Sequence, residues 1–234
     1  MSWNADMVAG RASTTLQQRG PHSRRWRLLV AFVILSSTPA VGRADRYEAQ
    51  LSMRPLVGMT QLREEGVASD ERTPVGGLSM GLSYGLSNRL DLGAELVTLA
   101  TGAQTFPDTA VMIGGGNRTE GSLTRRAGTS LLLVGPTWRF GVGWVPVISL
   151  GAGAGMRYRS AGTFLELNVT PPEKAQTVAL DIGATARVGL ERRMTRRVTV
   201  GGYISALAAW SPSAPSLPVA TVSIGISYVN YPLW

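Results

Sequence analysis

The residues of this 234-residue chain that could do chemistry are few. Lys, Arg, Asp and Glu together make up 16% of it, against about 25% in a typical soluble domain. There is no cysteine, which excludes disulfides, thiolate catalysis and cysteine-bound metals. The one histidine is His22, near the N-terminus. Everything after it therefore lacks a Ser–His–Asp relay and an ordinary histidine metal site. Asp91 and Glu95 are a carboxylate pair of the kind used in acid–base work. Four residues apart on one strand face, they would stand roughly 13 Å from each other, too far to act together. The glycine runs Gly114–Gly116 and Gly151–Gly155 lack the lysine and the strand–turn–helix setting of a phosphate loop. What remains is a balanced set of charges: Glu48, Asp91, Glu95, Asp181 and Glu191 against Arg54, Arg139, Arg157, Arg159 and Arg187. Five acids and five bases are the composition of an ion-pair network, since a lone buried charge costs several kcal/mol.

Net charge needs dividing before it is used. The formal value is +8, which would raise nucleic acid as a partner. Residues 1–44 hold six arginines (11, 19, 24, 25, 27 and 43) against Asp6, so +5 of the total. Residues 45–234 hold 17 basic and 14 acidic residues, so +3. The excess lies mostly in the first segment, and no basic stripe interleaved with aromatics follows it. No nucleic-acid partner is expected.

That first segment has the layout of a secretory signal peptide. Ser23–Arg27 is basic, Leu28–Leu35 is apolar, and small residues lead to Ala40-Val41-Gly42-Arg43-Ala44. Cleavage after Gly42 or Ala44 fits, with Ala44 preferred. The apolar run is too short for a membrane-spanning helix, which needs about 20 residues. Residues 1–44 are read as the removed leader and 45–234 as one domain.

Beyond the leader, the elements that must position the charges have period two. In residues 77–87, Leu78, Met80, Leu82, Tyr84 and Leu86 alternate with glycines and serines. Successive side chains of a strand point to opposite faces, so one face is apolar and the other small and polar. Eight such segments are predicted: 46–59, 75–87, 89–101, 127–140, 144–158, 177–191, 197–210 and 218–230. Short links near residues 88, 142 and 194 alternate with longer ones at 60–74, 102–126, 159–176 and 211–217. That alternation is the layout of an up-and-down antiparallel barrel. Pairing Leu86 with Leu90, Phe140 with Trp144 and Leu190 with Val198 keeps apolar residues opposite apolar residues. A hairpin within 102–126 would raise the strand count to ten.

The polar face is rich in Gly, Ser and Thr, a poor soluble surface but a good filling for a narrow eight-strand lumen. The apolar face then points outward, toward lipid, where backbone groups must all be paired in a closed ring. All ten charges named above fall on the inward face. Tyr47, Trp138, Phe140, Trp144 and Tyr228 gather at the short-turn end, and Tyr158 and Trp210 at the other. These are read as membrane-interface girdles.

With that layout, residues 45–234 resemble the small eight-stranded bacterial outer-membrane barrels of the OmpA transmembrane-domain and OmpW-like class. Terminal Trp234, with Ile224, Ile226 and Tyr228 on its parity, resembles the C-terminal signal that those families present to the barrel-assembly machinery, while Asn230 and Pro232 depart from it. The resemblance implies an all-β closed transmembrane barrel in the outer membrane, a monomer with lipid and the assembly machinery as partners, and no cofactor or metal. It implies an anchoring or surface-interaction role through external loops, the 102–126 loop above all. A small gated pore or binding barrel for a hydrophobic solute is the alternative. A lipid-modifying enzyme is disfavoured, because barrel enzymes of this size use a histidine.

Overall fold

The computed structural model describes residues 47–63, 72–113, 117–141, 143–212 and 214–230. The leader, its cleavage site and Trp234 lie outside the described residues.

Among the described residues there are eleven strands: β1 (Ala49–Thr60), β2 (Thr73–Gly85), β3 (Leu90–Thr101), β4 (Gln104–Ile113), β5 (Asn117–Arg125), β6 (Ala127–Arg139), β7 (Trp144–Arg159), β8 (Thr163–Phe164), β9 (Thr177–Arg193), β10 (Val198–Ser211) and β11 (Ala214–Asn230). Eight of them close into a barrel in the order β1-β11-β10-β9-β7-β6-β3-β2. Every neighbouring pair is antiparallel, and β1 closes the ring against both β2 and β11. The remaining three, β4, β5 and β8, form a separate small sheet. The 102–126 segment therefore does hold a hairpin, and it does not join the barrel, which keeps eight strands.

The alternation dictates the facing. Along β11, Leu217, Val219, Ser223, Ser227 and Val229 are buried, while Val222, Ile224, Ile226 and Tyr228 between them are exposed. Leu131–Val134, unbroken in the sequence, divides the same way. Leu131 and Leu133 are buried inward; Leu132 and Val134 are exposed outward.

Registers agree with the sequence at one hairpin and differ at two. Leu86 N–H donates to the Leu90 carbonyl at 2.9 Å. Phe140, however, bonds to Pro146 rather than facing Trp144, and Leu190 stands opposite Gly202 rather than Val198. The first difference comes from the turn glycines, Gly141 and Gly143, at φ of 90° and 82°, a region open to glycine at little cost. The second comes from a later turn than expected. The Thr195 hydroxyl accepts from the Arg197 and Val198 amides at 3.2 and 3.1 Å, so the chain reverses over 194–197 and β9 runs on to Arg193. Hydroxyl-to-backbone bonds of this kind fix local turns. Both offsets are even, so no side chain changes face.

The 211–217 link also proves shorter than expected. Ser211 already pairs with Ala214, after a register irregularity at Ala209/Ser211. Pro215 and Pro218 sit inside β11, at the start of a strand, where proline is tolerated.

Candidate functional site: the barrel lumen and its two rims

The lumen divides into two layers. The lower layer, toward the short turns, is ionic. Arg139 on β6 pairs with Asp91 on β3, with Glu191 on β9 at 2.9 Å, and donates to Gln50 on β1 at 2.7 Å. The Tyr203 hydroxyl on β10 donates to the other oxygen of Glu191 at 2.8 Å. Arg54 on β1 and Arg187 on β9 grip the two oxygens of Glu95 on β3, Arg54 at 2.9 Å. The Ser79 hydroxyl donates to the same carboxylate and accepts from Arg54 at 3.1 Å. The guanidinium groups of Arg54 and Arg187 lie 5.4 and 5.9 Å from the centre of the Tyr203 ring. Nearest the turns, Arg193 holds Glu48 at 2.6 Å. These bonds are struts across the lumen, tying β1, β2 and β3 to β9 and β10.

Small residues make the room. A Cβ on Gly225 would meet Arg54 Cγ at 2.6 Å and the Tyr203 ring at 2.8 Å; one on Gly201 would meet the Tyr203 hydroxyl at 2.6 Å. The glycines of the polar face are thus clearance for the long side chains opposite. An internal cavity of about 60 Å³ is left between Arg54, Glu95, Arg187 and Tyr203, space for one or two waters.

The upper layer is apolar. Leu56, Val75, Val97, Leu99, Leu131, Leu133, Leu207, Leu217 and Val219 fill it from the barrel wall, and Leu62, Phe106 and Leu123 fill it from the links above. One ion pair is embedded here. Arg157 bonds Asp181 at 2.9 Å and donates to the carbonyls of Ala209, at 2.9 Å, and Pro215. At 2% and 0% side-chain exposure this pair is sealed from water.

Above the plug stands a cap. It consists of the β4–β5 hairpin, with β8 and the short 3₁₀ turn Pro172–Lys174 laid against it. Gln104 accepts from the Thr73 hydroxyl at 2.6 Å, and Arg125 donates to the carbonyls of Ser160 and Ala175, both at 3.1 Å. Glu173 accepts from the Met112 amide at 2.7 Å, and Glu166 from the Ser122 amide at 2.8 and 3.0 Å. Hydrogen bonds from its own amide and that of Ser122 hold the exposed Glu166 carboxyl below its ordinary value.

Nine of the ten charges singled out in the sequence line the lumen and are buried or nearly so. Asp91 and Glu95 are gripped by different arginines rather than paired with each other. Arg159 lies apart from the network. Half-exposed at the loop end of β7, it donates to the Arg63 carbonyl at 2.5 Å. Its inward parity is right, but it is the last residue of β7, two positions beyond Arg157. The network also holds Arg193, Gln50, Ser79 and Tyr203. Arg193 shares the parity of Glu191 and falls inside β9 because the turn lies two residues later than the spacing of the segments suggests. Among the described residues, no group of three or more metal-ligating side chains comes together.

The exterior is apolar over its whole girth. Leu51, Met53, Leu82, Leu180, Ile182, Ile204, Ile224 and Ile226 are among the large side chains left open. Tyr47, Trp144 and Tyr228 are exposed at the short-turn rim, and Tyr158 and Trp210 toward the loop end; Trp138 and Phe140 are half-buried on the outward parity. Tyr84, read from the sequence as an apolar-face residue but not as one of the girdle aromatics, packs beside Tyr47 with ring centres 6.4 Å apart. Oily outside, ionic inside and closed on itself, this is the inversion that lipid demands. The chain is a small eight-stranded barrel of the transmembrane type.

No protein-family model and no curated protein matches the chain. Solved structures resemble it in strand layout. Ail, the attachment invasion locus protein of Yersinia pestis, in complex with the heparin analogue sucrose octasulfate, is 14% identical over 79% of this barrel-bearing chain and 99% of its own, with a TM-score of 0.45. The N-terminal β-barrel domain of Pseudomonas aeruginosa OprF is 12% identical over 79% and 98%, TM-score 0.44. The outer membrane protease OmpT of Escherichia coli is 8% identical over 83% and 100%, TM-score 0.41. An attachment protein and a protease both stand among these, and no role transfers across likenesses so distant.

Proposed function

We propose that this barrel is an integral protein of the bacterial outer membrane that serves as a non-catalytic anchor and presents its cap for contact at the cell surface. The observation that carries this reading is the filling of the lumen. Below, cross-lumen ion pairs leave about 60 Å³ of open space; above, buried leucines and valines of the wall cluster with Phe106 and Leu123 of the cap, and a further hollow of about 1110 Å³ lies beside Thr60, Leu150, Thr185, Ala206 and Val219. A pathway for solute would need both layers to part. The outward belt supports the membrane setting, since soluble monomers rarely leave so large a continuous apolar surface open. The short turns would face the periplasm and the cap the exterior, as is general for such barrels. No histidine is present among the described residues, which supports a role without chemistry of the barrel-enzyme kind.

Planar-bilayer recording of the refolded protein tests this. The expected trace has no discrete openings. Stepwise conductance would replace the anchor with a gated pore. A mass change in lipid A on expression would replace it with an enzyme.

A further inference from the structure

The short-turn rim carries charge that the lumen network does not use. Val188, Leu190 and Arg192 lie on one outward row of β9, the first two 53% and 50% exposed. The apolar belt thus ends in an arginine that points the same way as the oily residues above it. Trp144 stands opposite Arg192 in the ladder, and the guanidinium sits 5.5 Å from the centre of its ring. One turn away, Arg197 donates to the Tyr228 hydroxyl at 3.2 Å. Arg196, also exposed, sits between them in the chain. Two arginines are therefore held against interface aromatics at the level where acyl chains give way to headgroups.

Their charge is uncompensated. At this rim the described acids are Glu48, Asp91 and Glu191, all buried and all gripped by Arg193 or Arg139. The cap end differs: exposed Arg63, Arg72, Arg118 and Arg126 are interspersed with exposed Asp108, Glu120, Glu166 and Glu173.

We propose that Arg192, Arg196 and Arg197 form a seat for the phosphate of an anionic phospholipid in the leaflet at the short-turn rim. The acyl chains lie along Val188 and Leu190, and the aromatic partners pre-orient two of the guanidinium groups, lowering the entropy lost on binding. Arginine suits this site because its planar fork matches phosphate oxygens two at a time. The seat rests on the membrane reading above.

Electron paramagnetic resonance with spin-labelled phosphatidylglycerol and phosphatidylcholine, on protein refolded into vesicles, measures the preference directly. Heat-dependent gel migration of the same samples reports whether the barrel has inserted. The inserted protein is expected to favour phosphatidylglycerol. In the triple variant R192Q/R196Q/R197Q the preference should fall at least fivefold, fivefold being about the effect of a single surface-attracted basic residue. Molar salt should do the same to the unaltered protein, since it cuts the screening length to about 3 Å. The cap variant Arg118→Gln should leave the preference in place. Equal association of the two lipids with inserted protein overturns the seat, as does an undiminished preference in an inserted triple variant. A protein that never gains a heat-shifted band overturns the membrane reading, and the seat with it.

Discussion

The two layers of the lumen occupy the same barrel, are built on the same strands and close it by opposite physics. The lower layer uses charges whose partners are specified atom by atom: Arg139 serves Asp91, Glu191 and Gln50 at once. The upper layer uses side chains that need only fill volume, and it borrows Phe106, Leu123 and Leu62 from outside the barrel. Ionic closure is directional and fails when one member is lost, because the rest are left buried and unpaired. Apolar closure degrades in proportion to the volume removed. The ionic layer also sits where the links are short and offer nothing to pack, while the apolar layer sits under a cap able to cover it. Where no loop can supply a lid, the wall must reach across itself with long side chains.

Variants can break or sharpen this contrast. The largest effect is expected from Arg139→Ala, which strands Asp91 and Glu191 together; about 3–5 kcal/mol should be lost in urea unfolding of the refolded barrel. Arg157 tests the same rule inside the apolar layer. Arg157→Met alone should cost a similar amount, and adding Asp181→Leu should return most of it, because two apolar groups can replace a buried pair with little loss. Next comes Leu131→Ala, which empties space against Gly183, whose Cβ position lies 2.6 Å from Leu131 Cδ1. It should cost about 2–5 kcal/mol, depending on how far the plug collapses. A larger loss for Leu131→Ala than for Arg139→Ala would refute the view of the ionic layer as the less forgiving one. Tyr203→Phe keeps the ring beside Arg54 and Arg187 and removes one bond to a carboxylate, so about 1.5 kcal/mol should go.

The smallest effect belongs to the cap. Glu166, with its carboxyl held low by the amides, stabilises the β5–β8 docking while it is charged. Its contribution is present above the ordinary carboxylate value and is lost as pH falls through the lowered one. Hydrogen exchange at the Ser122 amide should accelerate, relative to the barrel amides, on acidification through that range. Glu166→Gln should show this loosening already at neutral pH, and the barrel strands should show none.

Much of this was legible before any fold was known. The eight segments of period two lie within a few residues of β1, β2, β3, β6, β7 and β9–β11, and the outward parity follows, but the inward face, read as small and polar, is apolar in its loop-end half. The turns were less legible. Thr195 reads as an ordinary loop residue until its hydroxyl is seen to close the turn at 194–197. The shortened link before Ala214 escaped because prolines 215 and 218 read as loop, although they fall where a starting strand tolerates them. The β4–β5 hairpin was open as a possibility, but nothing local in 102–126 says whether a hairpin extends the ring or leaves it.

The chain itself determined which parity of each strand faces outward, that ten charges balance, and that all ten share the inward parity. Those are facts of parity, and parity is local: it survives any even slip of one strand along another. Tertiary structure alone decided the slip. The two-residue offset at Phe140 and the four-residue offset at Leu190 leave every side chain on its face but change which rung of the ladder it stands on. Rungs decide partners. Arg139 reaches Glu191 and Arg159 stays outside because ring closure sets their heights, and height around a closed ring is a sum over all eight registers that no single strand contains.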